Sequence, residues 1–117
     1  MAIKAITCEE FAKFGAHRQA MLVAGKRIDH GLSSRFTETE WYASEDDVIL
    51  GAVLLDGTDQ DWSFVILGRD TLGEFRCIKA DACLPDATAA RVNLISDMLE
   101  IEKTGQKVFP VTPCPGP

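Results

Sequence analysis

Two histidines, His17 and His30, are the only side chains in the 117-residue chain whose ordinary titration falls near neutral pH. Neither has a sequence neighbour that marks a catalytic pair, although either one, with nearby acids, would suit a small enzyme with a cleft between a first helix and a sheet. Ser33 and Ser34 stand outside any Gly-x-Ser-x-Gly elbow, and Gly68-Arg-Asp-Thr-Leu-Gly73 is not followed by the helix that a phosphate loop needs. Hydrolase and nucleotide-binding chemistry are therefore not indicated. Asp56-x-x-Asp59-x-Asp61 gathers three carboxylates in one loop, but its sixth position is Asp61 and its twelfth Leu67, where an EF-hand needs glycine and glutamate. At most this is a weak surface cation site. Cys8, Cys77, Cys83 and Cys114 are widely spaced, with no Cys-x-x-Cys pair and no His-x-x-x-His partner for zinc. They read as free thiols, a Cys77–Cys83 disulfide being the alternative. No catalytic residue, metal or cofactor is assigned.

The chemistry that does stand out is charge. Between Phe36 and Glu74 stand ten acids, Glu38, Glu40, Glu45, Asp46, Asp47, Asp56, Asp59, Asp61, Asp70 and Glu74, opposed only by Arg69, so this third carries −9 of a chain whose total is −6. Such asymmetry excludes a direct nucleic-acid binder, which needs clustered Lys and Arg against phosphate, and it favours a basic protein partner. Trp41, Tyr42 and Trp62 lie beside the acidic turns, where aromatic residues ringed by charge serve as interface anchors. Burial in the core is the competing reading for these rings, and turn capping is the competing reading for the acids. The candidate binding residues are Glu38, Glu40, Trp41, Glu45, Asp46, Asp47, Asp56, Asp59 and Asp61.

The elements that must position these residues follow from pattern. Thr7-Cys8-Glu9-Glu10 is a capping box and predicts a helix over 8–25, stopped by Gly25. Phe36 to Ala43 alternates as a strand, and Ser44 to Asp47 is a turn. Val48 to Leu55 and Trp62 to Gly68 are β-branched and aliphatic runs of strand length, joined by the turn over 56–61 into a hairpin. After a turn at 69–73, residues 74–80 read as an edge strand, with Phe75, Cys77 and Lys79 on one face and Arg76, Ile78 and Ala80 on the other. Asp86 caps a helix over 86–104, whose apolar stripe is Val92, Ile95 and Leu99 with Leu94, Met98 and Ile101 beside it. The fold expected is α+β, an antiparallel meander of three to four strands flanked by an N-terminal and a C-terminal helix in the order α-β-β-β-β-α. Residues 1–109 form one domain, and 110–117, with four prolines, form a tail.

Both middle strands are apolar on both faces, so both faces need cover. The two helices on opposite faces supply it, or a homodimer pairs sheet to sheet. With 46% hydrophobic and 26% charged residues the chain is too apolar for disorder. Its longest apolar run, Val48 to Leu55, is far short of the ~20 residues that cross a bilayer as a helix, and no export signal opens the chain, so a cytoplasmic protein without membrane contact is expected.

The stretch from Trp41 to Asp70, WYASEDDVILGAVLLDGTDQDWSFVILGRD, resembles a module in uncharacterised proteins of bacterial plasmids and phages. The resemblance covers about a quarter of the chain and implies a mobile-element setting, with no activity, ligand or catalytic residue attached. Small acidic phage proteins, anti-CRISPR and other DNA-mimic inhibitors among them, present carboxylates to basic nucleic-acid grooves. The expected function is accordingly a non-enzymatic interaction module with an acidic surface for a basic, nucleic-acid-binding type of protein. An accessory domain of a nucleic-acid-processing enzyme and a small enzyme using His17 or His30 are the alternatives.

Overall fold

A computed structural model of the chain describes residues 2–15, 36–57, 60–70, 72–104 and 108–109. The order is β1 (Ile3–Ile6), α1 (Cys8–Lys13), β2 (Phe36–Ser44), β3 (Ile49–Asp56), β4 (Trp62–Asp70), β5 (Phe75–Leu84), α2 (Ala87–Thr104) and β6 (Val108–Phe109). β1 to β5 lie side by side in chain order, all antiparallel, and β6 pairs parallel with the end of β4. The α+β class and the antiparallel meander stand. The expected α-β-β-β-β-α order gains a strand at each end: β1 pairs Ile3 with Ser44 through Ile6 with Trp41, and β6 pairs Val108 with Arg69. Segments this short carry too little periodicity to announce a strand.

The capping box at the start of α1 is formed on both sides: Glu10 N donates to Thr7 Oγ1 at 3.1 Å, and Thr7 N donates to Glu10 Oε1 at 3.0 Å. The far end differs from expectation. α1 stops at Lys13 rather than running on, because Gly15 takes a left-handed φ of 74° that a helix interior cannot hold. The remainder of the expected helix lies outside the described residues.

The β3–β4 hairpin is buried on both faces within a single chain. On one face Leu50, Ala52, Leu54, Val65 and Leu67 pack with Phe11 of α1, Ala43, Phe75 and Cys77. On the other Ile49, Val53, Phe64 and Ile66 pack with Tyr42 and with Ala90, Leu94 and Met98 of α2. The sheet-to-sheet homodimer is thus not needed to cover them. Each large apolar side chain so buried contributes on the order of 1.5–3 kcal/mol before chain entropy is subtracted.

α2 starts where the sequence placed it, with Ala89 N donating to Asp86 Oδ1 at 2.7 Å. Its buried row, however, is Ala90, Leu94 and Met98, whereas Val92 is 59% and Leu99 40% exposed. The helix is apolar on two sides, and its own periodicity does not choose between them; the sheet does. Gly51 of β3 lies beneath the row, where an added Cβ would stand 2.7 Å from Leu94 Cδ1 and 2.8 Å from Met98 Sδ. The missing side chain lets the helix approach. None of the described helices is long and apolar enough to cross a membrane.

Two bulges in β5 rewrite its alternation. Leu67 faces Cys77 while Ile66 faces Lys79, so Ile78 is the extra residue and the later positions change sides. Phe75, Cys77 and Ala80 therefore share the α1 face and Ile78 joins the α2 face, in place of the strict two-residue alternation expected. Cys77 is buried and Cys83 and Cys8 are exposed, and Cys77 and Cys83 form no disulfide with each other.

Two outcomes test this packing. Gly51→Ala is expected to lower stability by about 1–3 kcal/mol by overpacking against Leu94 and Met98, and an unchanged urea midpoint would contradict the close approach. In the native protein a thiol reagent should modify Cys8 and Cys83 rapidly and Cys77 only on unfolding, read by mass spectrometry of digested fragments.

Candidate functional site

Of the nine candidate residues, the structure separates more than it gathers. The Glu45–Asp47 turn and the Asp56–Asp61 turn close opposite ends of β3, about 25 Å apart at roughly 3.3 Å per residue. Asp59 lies outside the described residues, as do His17, His30, Ser33 and Ser34. The acids of the middle third are therefore not one surface.

Several of them hold the fold instead. A bulge at Thr39 shifts the register of β2, so that Glu38 pairs with Leu54 and Glu40 with Val53. Glu38 thereby moves to the face of Trp41, whose Nε1 donates to Glu38 Oε1 at 3.1 Å, and the half-buried Trp41 packs on the α1 side of the core. Glu40 points to the α2 face. There its two oxygens accept from Arg91 Nε and Nη2, each at 2.7 Å, and Oε1 also accepts from the Tyr42 hydroxyl at 2.5 Å. The paired guanidinium holds the Glu40 carboxyl below its ordinary value despite partial burial. Burial first, then the adjacent carboxylate, pushes the Tyr42 hydroxyl up. On the other flank of the same helix Lys79 Nζ meets Asp97 Oδ2 at 2.7 Å, so α2 is tied to β2 on one side and to β5 on the other.

At the β2–β3 end the charges are largely answered. Asp46 Oδ1 accepts from Ser44 Oγ at 2.7 Å and from Val48 N at 3.2 Å, closing a turn in which Asp47 adopts a φ of 59°. Asp47 itself meets Lys4 Nζ of β1 at 3.0 Å. In the neighbouring β4–β5 turn the fully buried Asp70 carboxylate accepts from Leu72 N, Glu74 N and Arg76 Nε at 2.8, 3.0 and 3.0 Å. Burial alone would raise the Asp70 carboxyl, but Arg76 and the two amides together outweigh it and hold it low. Glu74 shares Arg76 at 3.7 Å, and Glu45 is exposed and has no side-chain partner among the described residues.

The β3–β4 end is different. Asp56 is buried, and its backbone closes the turn by donating to Asp61 O and accepting from Gln60 N, both at 2.9 Å. Asp61 is half-buried and precedes Trp62, which packs against the α2 side of the core. Leu84 stands directly opposite Trp62, Asp81 stands opposite Phe64, and Asp86 follows two residues after Leu84. Asp81 and Asp86 are exposed; Asp81 accepts from Ala82 N and Asp86 caps α2. Among the described residues none of Asp61, Asp81 and Asp86 meets a lysine or arginine. Asp81 and Asp86 belong to this end only through the β4–β5 register, which no count of charges along the chain displays. No group of three His, Cys, Asp or Glu among the described residues is arranged to hold a metal ion.

No family model matches the chain, and neither does any curated protein or solved structure.

Because Glu40 and Asp70 both titrate below their ordinary values of 4.5 and 3.8, their contribution to stability is complete above those values and is lost as pH falls through the lower folded ones. Denaturant midpoints should therefore drop steeply below pH 4.5. Glu40→Gln should lower the midpoint at pH 7 and flatten that drop; an acid limb of the same slope in wild type and variant would show that the Glu40–Arg91 pair is not a source of it.

Proposed function

We propose that the chain is a non-enzymatic protein-interaction module that offers the carboxylates at its β3–β4 end to a basic protein surface. The observation that carries this reading is the trio Asp61, Asp81 and Asp86 at the end of the sheet that holds Trp62, none of which meets a lysine or arginine among the described residues, whereas Asp47, Asp70 and Glu74 at the opposite end do. Unanswered carboxylates next to an indole are complementary to lysine and arginine side chains, through charge and through the ring face. The net charge of −6 adds long-range attraction toward such a partner and repulsion from nucleic acid itself. The partner class is a basic, nucleic-acid-binding type of protein, and a mobile-element-encoded inhibitor of the DNA-mimic type is the biological form of the proposal.

The test compares Asp61→Asn with Asp81→Asn in one variant against a control, Glu9→Gln with Glu100→Gln, that removes the same charge from exposed positions elsewhere. Asp86 is left intact because it caps α2. Affinity capture from a bacterial host lysate should recover a basic protein on wild type and control, released as salt rises, and the double aspartate variant should bind it roughly two- to twenty-fold more weakly. Equal capture by all three proteins, or capture of no basic protein by wild type, overturns the proposal.

A further inference from the structure

We draw no further inference here: the strongest candidate, the exposed Val92 and Leu99 on the side of α2 turned away from the sheet, is an unpartnered apolar face, and nothing in the structure shows what covers it.

Discussion

A hairpin that is apolar on both faces cannot lie at a protein surface, and the rest of the architecture answers that constraint. Val53, Phe64 and Ile66 on one side and Leu50, Leu54, Val65 and Leu67 on the other are all removed from solvent. Neither β3 nor β4 can therefore be an edge, so β2 and β5 must flank them, and each face must receive its own cover. α2 meets the requirement on one side. It runs above β3 and β4, close enough that Gly51 has no room for a side chain, with Arg91 and Asp97 reaching down to β2 and β5 on its two flanks. On the opposite side Phe11 of α1 inserts into the second core.

The acids of the middle third owe much of their placement to the same sheet. A meander needs a tight reversal after every strand, and carboxylates close such reversals by accepting backbone amides. Asp46 and Asp70 do this directly, and Asp70 does it from a fully buried position because Arg76 and two amides satisfy it. Glu40 answers to a different demand, the seating of a helix, and its bidentate contact with Arg91 joins residues 51 positions apart in the chain. This half-buried pair, with Lys79–Asp97 on the other flank, ties α2 to β2 and β5 in the orientation that the sheet beneath selects.

A meander also sends successive turns to alternate ends. Carboxylates adjacent in sequence count are thereby divided between two ends of the molecule, and carboxylates distant in sequence are joined. Asp81 and Asp86 come to stand near Asp61 and Trp62 because β5 runs antiparallel beside β4, with two bulges setting which residue faces which. At the other end Lys4 and Arg76 arrive on β1 and β5 and answer Asp47, Asp70 and Glu74. Two ends of one sheet, rich in acids alike, differ in how many of those acids remain unmatched.

Local chemistry was legible in the chain from the start. The Thr7–Glu10 box, the Asp86 cap, the three turns and the four long strands each depend on residues within a few positions of one another, and the structure forms all of them. What the chain by itself did not determine depends on who faces whom. The bulges at Thr39 and Ile78 invert which side Glu38 and the later part of β5 occupy, since a single inserted residue reverses a period of two. The buried row of α2 was chosen by the sheet beneath it, not by the helix. The pairing of Glu40 with Arg91, and the gathering of Asp61, Asp81 and Asp86 at one end, required strand register and helix docking, which are long-range contacts that no window of sequence contains.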